Sequence, residues 1–306
     1  MLSERILNTI KFFNLQQYPL TGYEVWQYLI TDLAELKKQL DSSYELPEKL
    51  DYPKPAGVHL DTVLTQLQNL ITENQLGHKH GFYFLPGQQA LVEQRLSNYH
   101  FGLKREKIIR RWMGFARHVP FIRGISLAGS QALGLARSTS DIDLLIITDS
   151  KFMWLARIFL SAYFQITGVR RHGNKIANRV CLNHYLANIR EVDVEKNLYK
   201  AMEYTKLRPV VYPQATLAFQ QVNQQWINFL FPNVTFEKVY VEKQSWLQKI
   251  LESIFQNSAG LWLEKTLGNM QLARIKQEKY IFVKTDELSF HPGSKHEALL
   301  KGLFEV

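Results

Sequence analysis

The sequence predicts an α+β protein in which a small mixed sheet lies between helical regions. Three observations favour this fold class. Apolar residues recur at helical spacing towards both ends of the chain, short apolar runs in its centre are typical of strands, and turn-forming residues separate the two patterns. The chain has 306 residues, of which 46% are hydrophobic. It is therefore long enough for two or three domains with packed cores.

The first region, residues 1–87, is predicted to form helices followed by a hairpin. Helical spacing indicates helices over about Ser3–Leu15 and Thr21–Leu40, and Thr21 with Glu24 fits a capping box. A Pro-rich loop follows, and a third helix covers "VHLDTVLTQLQNLITENQL". The segment "GHKHGFYFLPG" then predicts two short strands around a basic turn. This order of elements resembles a winged-helix domain.

The charge of the chain bears on whether this winged-helix-like domain binds nucleic acid. Lys and Arg outnumber Asp and Glu by 37 to 28, and the net charge of +9 favours an anionic partner, whether nucleic acid, nucleotide phosphates or an acidic membrane surface. The third helix has no Lys or Arg, whereas a helix that reads DNA needs cations near the phosphates. We therefore expect protein docking or a homodimer contact from this region more than nucleic-acid binding.

Residues 88–120 predict a long connecting helix whose second half is basic. Its cations are Lys104, Arg105, Lys107, Arg110, Arg111 and Arg117. A solvated helix face explains each of them singly, and a flank leading to an anion site explains the cluster. The sequence leaves both interpretations open.

The central region, residues 121–195, predicts a strand, a helix and a second strand, and it carries the clearest chemical pattern. Gly129 and Ser130 end the first strand, and Asp141 and Asp143 begin the next one. Residues two apart in a strand face the same side, so the two carboxylates project together and repel each other. A divalent cation relieves that repulsion, and oxygen ligands suit Mg²⁺ or Mn²⁺. A helix N-terminus after Gly129 offers donors to a phosphate.

The stretch "GSQALGLARSTSDIDLLII" resembles the signature of the DNA polymerase beta-like nucleotidyltransferase superfamily, which is Gly-Ser, a spacer, and Asp-x-Asp on a strand. Family members transfer a nucleoside monophosphate from a nucleoside triphosphate to a hydroxyl or amine. The resemblance implies a metal-dependent nucleotidyltransferase with Mg²⁺ or Mn²⁺ as its cofactor. It implies that Asp141 and Asp143 are catalytic metal ligands, and that Gly129 and Ser130 hold the nucleoside triphosphate. The acceptor stays unknown.

Further cations and hydroxyls near this pattern are candidates for nucleotide binding. Arg137 and Ser140 shape the loop before Asp141. A helix is predicted over about Phe152–Thr167, and a basic turn follows it. We favour Arg179 among the members of that turn, because it borders the next strand. The other cations of the turn, which contact either the triphosphate or solvent, are Arg170, Arg171, His172 and Lys175.

A third carboxylate, which active superfamily members usually add on a later strand, is not evident. The candidate strand, Arg179–Ala187, has no Asp or Glu, and Asn183 stands at the expected place. Asp193 follows after a loop and is the other third-ligand candidate. We expect Cys181 to be a small core residue. Three alternatives remain: Asp193 completes the site, two carboxylates suffice, or the domain is a catalytically inactive nucleotide-binding or protein-docking module.

Residues 196–306 predict a helical C-terminal region, which resembles the helical partner domains of small nucleotidyltransferase domains. A winged-helix nucleic-acid-binding regulator is a further functional alternative for the whole chain. Cys181 is the only cysteine, so no intrachain disulfide forms, and the N-terminus lacks a signal-peptide pattern. We therefore expect a cytoplasmic protein. The most apolar later stretch is short and carries Arg157, which predicts a packed helix and no membrane span.

Overall fold

The computed structural model describes residues 1–42, 44–47, 52, 55–192, 195–275, 282–284, 286–290 and 294–304. Helices and strands combine in these residues as the predicted α+β class requires. The elements of the N-terminal region are α1 (Leu2–Asn14), β1 (Leu20–Thr21), α2 (Gly22–Gln27), α3 (Leu33–Gln39), α4 (Leu60–Thr72), β2 (Gly77–Lys79) and β3 (Phe82–Phe84).

A long helix connects this region to the rest of the chain. The connecting and central elements are α5 (Ala90–Ala116), β4 (Ile122–Leu127), α6 (Gly129–Ala132), β5 (Ile142–Thr148), α7 (Met153–Ile166) and β6 (Val180–Ala187). The C-terminal elements are α8 (Leu198–Thr205), β7 (Arg208–Val211), α9 (Pro213–Val222), α10 (Gln224–Leu230), α11 (Trp246–Phe255), α12 (Ser258–Ile275), β8 (Phe282–Val283), β9 (Glu287–Ser289) and α13 (Ser294–Phe304). No helix in the described ranges is long and apolar enough to cross a membrane.

The N-terminal hairpin forms where the sequence predicts it. Strands β1, β3 and β2 make a small antiparallel sheet in that order. The capping box at the start of α2 is also confirmed, because Thr21 and Glu24 exchange backbone and side-chain hydrogen bonds. The winged-helix assignment rests on this order of elements and stays a prediction.

The helix predicted over Thr21–Leu40 is interrupted in the structure. Its backbone leaves helical geometry before Asp32, which caps α3. The amide of Ile30 donates to the Thr9 hydroxyl at 3.0 Å, and the amide of Thr31 donates to a carbonyl of α10 at 3.0 Å. The prediction of one continuous helix was wrong because these long-range hydrogen bonds outweigh local helix propensity.

A six-stranded mixed sheet forms the centre of the molecule, with the strand order β7-β4-β5-β6-β9-β8. Strands β5 and β6 are parallel, and the other neighbours are antiparallel. The C-terminal region is mainly helical, as predicted, but it also supplies β7, β8 and β9. Helical periodicity was the wrong assignment for residues 208–211, where Pro209 and two valines form an edge strand.

Each face of this sheet covers a separate hydrophobic cluster, because successive strand residues point to opposite sides. Leu145 and Ile147 of β5 face a cluster that includes α8, α9 and α10 and also the N-terminal helices. Leu144 and Ile146 face the cluster that contains α7. The N-terminal helices thus pack in the same cluster as α8–α10. The domain boundaries at residues 87, 120 and 195 stay predictions.

Candidate functional site

The candidate site begins where β4 ends and α6 starts. Gly129 has a φ of +54°, a conformation that L side chains rarely adopt. A Cβ atom at this position would lie 2.4 Å from Oδ2 of Asp143. The backbone of Gly129 therefore passes directly over the Asp143 carboxylate, and any side chain there would displace it. The preceding amide, of Ala128, donates to the Asp143 carbonyl at 2.9 Å.

Asp141 and Asp143 lie together at the start of β5, as the two-residue spacing predicts. One oxygen of each carboxylate and the Sγ of Cys181 all lie within 4.8 Å of one another. Cys181 is directly opposite Asp143 in the parallel pair β5–β6. The expectation that Cys181 is an ordinary core residue is corrected here, since its partly exposed side chain belongs to the acidic cluster.

The register of β5 against β6 places Cys181 opposite Asp143 and is irregular at the next positions of β6. Asp143 pairs with Cys181, but Leu145 pairs with His184, so β6 has one additional residue in this interval. Asn183 falls in that irregular stretch. Its buried Oδ1 has no hydrogen-bond partner among the described residues. Asp193, the other predicted third ligand, lies outside the described residues.

An arginine from the basic turn reaches the carboxylates. Nη1 of Arg171 is 2.6 Å from Oδ2 of Asp141 and 3.7 Å from Sγ of Cys181. Arg179, which the sequence favoured, instead donates to the carbonyl of Gly168 at the end of α7. The turn thus does direct one cation to the site, and that cation is Arg171.

A second arginine, Arg105, donates hydrogen bonds to the backbone of the loop that carries Asp141. Arg105 of α5 is only 5% exposed. Its guanidinium donates to Oε1 of Gln131 at 2.7 Å, to the carbonyl of Ser140 at 2.8 Å, and to the carbonyl of Asp141 at 3.3 Å. Among the cations of the connecting helix, Arg105 is therefore a buried anchor of the carboxylate loop and not part of a solvated face.

The other predicted nucleotide-binding residues lie on the loop and helix around the carboxylates. The Arg137 guanidinium donates to Oε1 of Gln17 at 2.7 Å, and the Arg137 amide donates to the Ser140 hydroxyl at 3.1 Å. Both contacts shape the loop before Asp141. Ser130 is partly exposed and follows Gly129 on α6.

A third carboxylate, that of Glu203, adds negative charge near Asp141 and Asp143. Burial raises the pKa of Asp143 to about 7, and the negative charges of Asp141 and Glu203 add to the effect, while Arg171 opposes it. Burial also raises the pKa of Cys181 to about 12. Each shift reports a cost of holding negative charge in the site. An added cation would relieve that cost.

Glu203 approaches the site from α8, on the face of the sheet to which Asp143 points. Its Oε1 accepts a hydrogen bond from the amide of Gly129 at 3.2 Å, and its Oε2 is 3.0 Å from Nζ of Lys200. Burial would lower the pKa of Lys200, but interactions with Glu203, Tyr204 and Glu195 raise it well above the usual value. Glu203 and Lys200 thus form a buried ion pair that fixes α8 against the Gly129 turn.

The donor atoms at the start of β5 fit a hard divalent cation in part. Two carboxylates within reach of each other suit Mg²⁺ or Mn²⁺, which take oxygen ligands. The thiol of Cys181 does not suit Mg²⁺, because thiolates favour softer metals. Asp141 and Asp143 are therefore the residues that would hold such an ion, and the remaining ligands would come from water or phosphate oxygens.

The fold brings to the carboxylates several residues that the sequence did not place beside them. Arg105 comes from α5, Cys181 and Arg171 come from beyond α7, and Glu203 comes from α8. The basic turn does bring an arginine, Arg171, to the carboxylates, and Arg179 stays a prediction for nucleotide binding. No local pattern marks Arg105 or Glu203, because their roles depend on tertiary packing.

Comparison with known proteins agrees with this geometry. The model of the nucleotidyltransferase domain family matches residues 112–283, which is more than half of the chain and includes β4, α6, β5 and β6. No curated protein and no solved structure gives a match. The chain belongs to the nucleotidyltransferase domain family.

Proposed function

We propose that the protein is a metal-dependent nucleotidyltransferase that moves a nucleoside monophosphate from a nucleoside triphosphate to a hydroxyl or amine. The observation that supports this most directly is the pair of carboxylates, Asp141 and Asp143, beneath the Gly129 turn. The pair stands at the start of β5, and both side chains are partly exposed. The matched family supports nucleotidyl transfer in general terms.

In this proposal each residue of the site has a defined part. Asp141 and Asp143 would hold Mg²⁺ or Mn²⁺, and the ion would supply positive charge to neutralise the phosphate oxygens. The Gly129–Ser130 turn receives the triphosphate, with Arg137, Ser140 and Arg179 as the further nucleotide-binding candidates. Arg171 pairs with Asp141 before the ligand arrives.

The transfer itself exchanges one phosphorus–oxygen bond for another bond to phosphorus. The acceptor oxygen or nitrogen bonds to the α-phosphorus, and the bond from that phosphorus to the bridging oxygen of the β-phosphate breaks. Pyrophosphate leaves, and the acceptor's proton passes to water. Asp141 and Asp143 would contribute by holding the ion, and the ion would supply positive charge that stabilises the charge developing on the phosphate oxygens.

A second candidate function is a nucleotide-binding module that does not turn over. One observation favours it. Cys181 stands beside the carboxylate pair, and its thiol cannot replace a carboxylate as a ligand for Mg²⁺. Asn183 cannot serve as a base, and Asp193 lies outside the described residues.

Pyrophosphate release tests both candidates. We would incubate the protein with each nucleoside triphosphate, Mg²⁺ or Mn²⁺, and acceptors of three classes: small alcohols and amines, protein, and RNA. Release that depends on the acceptor and is lost in Asp141→Asn/Asp143→Asn supports the enzyme. If only Cys181→Asp releases pyrophosphate, with Cys181→Ser as its control, the native chain is the non-catalytic module. Release at an equal rate from Asp141→Asn/Asp143→Asn would contradict the proposed site.

A further inference from the structure

We propose that a cavity between α7 and α12 is a second, non-catalytic site, and that it binds a nucleoside monophosphate. The cavity has a volume of about 420 Å³. Its walls come from α7, from the turn after α7, from α12 and from Phe290, which follows β9. Pockets for small organic ligands usually have volumes of roughly 300–1,000 Å³. The space is thus sufficient for one nucleotide-sized molecule.

Three arginines line this cavity: Arg157 from α7, Arg170 from the turn after it, and Arg274 from the end of α12. Its lining in the described part of the chain includes no Asp or Glu. Neither Arg170 nor Arg274 makes an ion pair with a described residue. A guanidinium is always charged at neutral pH and matches the geometry of phosphate or carboxylate oxygens. The cavity therefore concentrates positive charge that an anion would neutralise.

Most of the other lining residues of the cavity are apolar or aromatic, and Ser161 and Gln271 are the polar ones. The apolar ones include Ile158, Leu267 and Met270. The guanidinium carbon of Arg157 lies 4.4 Å from the ring centroid of Phe290, so this arginine makes a cation–π contact with an aromatic ring. An anion without an apolar body would leave this surface uncovered. The ligand should therefore combine a negative group with a planar or apolar part.

The charge of the cavity favours a phosphate ester over a carboxylic acid. A carboxylate brings one negative charge, whereas a phosphate monoester brings close to two at neutral pH and three acceptor oxygens. Three guanidiniums match the second pattern better. A nucleoside monophosphate combines such a phosphate with a planar ring for the apolar wall.

The cavity is distinct from the carboxylate site, although the two are close in sequence. Arg170 lines the cavity, but the next residue, Arg171, faces Asp141. The backbone of Arg170 also forms a bridge with Val180, and Val180 pairs with Ile142 of β5. Binding in the cavity requires neither the carboxylate pair nor a metal, so it does not rest on the proposed nucleotidyl transfer.

Calorimetric titration of the four ribonucleoside monophosphates, without divalent cation, tests this site. We expect at least one to bind, and to bind equally well to Asp141→Asn/Asp143→Asn. In Arg170→Gln/Arg274→Gln we expect its Kd to rise at least tenfold. Lys265→Gln removes one exposed cation of α12 outside the cavity and should leave the Kd unchanged. The parent nucleoside and inorganic phosphate should each bind at least tenfold more weakly.

Results of three kinds would overturn the proposal, and they concern the native protein, the variants and the alternative ligands. The first is that no monophosphate binds the native protein. The second is an unchanged Kd in Arg170→Gln/Arg274→Gln, or loss of binding in Asp141→Asn/Asp143→Asn. The third is equal binding of inorganic phosphate or of the parent nucleoside. A thermal unfolding curve shows whether Arg170→Gln/Arg274→Gln is folded, and Arg274→Gln alone repeats the test at an exposed residue.

Discussion

At the scale of single residues, the carboxylate pair depends on the missing side chain of Gly129. In Gly129→Ala the new Cβ would meet Oδ2 of Asp143 at 2.4 Å, so the carboxylate must move. We expect metal-dependent binding of nucleoside triphosphate to weaken at least tenfold, as measured by calorimetry. Gly134→Ala is the matched control. Gly134 has a φ of +72°, but a Cβ there would have no atom within 4 Å.

The two glycine variants separate strain from steric displacement. Both place a side chain on a left-handed backbone, so both should lower the free energy of unfolding by about 1 kcal/mol or more. Gly129→Ala should also lose ligand binding, and Gly134→Ala should retain it. Equal binding losses in the two variants would show that strain alone, and not contact with Asp143, explains the effect.

The sequence predicts contacts within the site only between residues that lie close together in the chain. Asp141 and Asp143 are two residues apart on one strand, and Gly129 is close before them, so local periodicity predicts their meeting. Cys181 and Arg171 could not be placed, because their positions depend on the pairing of β5 with β6. An additional residue in β6 shifts that pairing by one position.

At the scale of elements, α5 supports the loop before β5 through Arg105. In Arg105→Met the carbonyls of Ser140 and Asp141 and the side chain of Gln131 lose their buried donor. We expect the free energy of unfolding to fall by about 3 kcal/mol, since hydrogen bonds to charged groups are worth roughly 1.5–3 kcal/mol each. Nucleoside triphosphate should also bind more weakly, because the loop that carries Asp141 is less ordered.

Lys104→Met provides the control for this helix. Lys104 precedes Arg105 but is exposed, so its loss should change neither unfolding in denaturant nor ligand binding. If Arg105→Met were as stable as Lys104→Met, the buried contacts of Arg105 would not be what holds the loop.

Element boundaries were predicted well where local signals are strong. The capping box gave the start of α2, and the apolar runs gave β4, β5 and β6. The break between α2 and α3 could not be predicted, because it depends on Thr9 and on α10 far along the chain. Strand β7 was missed for the same reason. Its four residues are stabilised by pairing with β4. A local stretch of sequence carries no information about that pairing.

At the scale of the whole molecule, the largely buried acid Glu24 joins the N-terminal region to α5 and to the residue after α8. Oε1 of Glu24 lies 2.7 Å from the Arg95 guanidinium and 3.3 Å from Nζ of Lys206, and Tyr18 donates its hydroxyl to it at 2.9 Å. Burial alone would raise the pKa of Glu24, but Lys206 and Arg95 lower it to about 2. The ionised carboxylate is therefore the form that stabilises this contact.

This shift gives the stability of the protein a defined pH dependence. The pKa of Glu24 is lower in the folded than in the unfolded chain, so its contribution is complete above about pH 4.5 and is lost as the pH falls towards 2. Glu24→Gln should lower the free energy of unfolding at pH 7 by on the order of 3 kcal/mol. At pH 3 the difference from the native protein should shrink by more than half.

Denaturant unfolding at the two pH values measures this difference, with Glu73→Gln as a control at an exposed acid of α4's C-terminal end. The double difference cancels the titration of all other groups. A difference that stays constant between pH 7 and pH 3 would mean that the Glu24 contact acts through packing and not through charge.

The central claim is that Asp141 and Asp143 form a metal-dependent site for a nucleoside triphosphate. Calorimetric titration of each nucleoside triphosphate with Mg²⁺ tests it most directly, on the native protein and on Asp141→Asn/Asp143→Asn. We expect at least one triphosphate to bind the native protein only when Mg²⁺ is present, and we expect the variant to lose that binding. If no triphosphate binds, or if the variant binds as tightly as the native protein, the claim is contradicted.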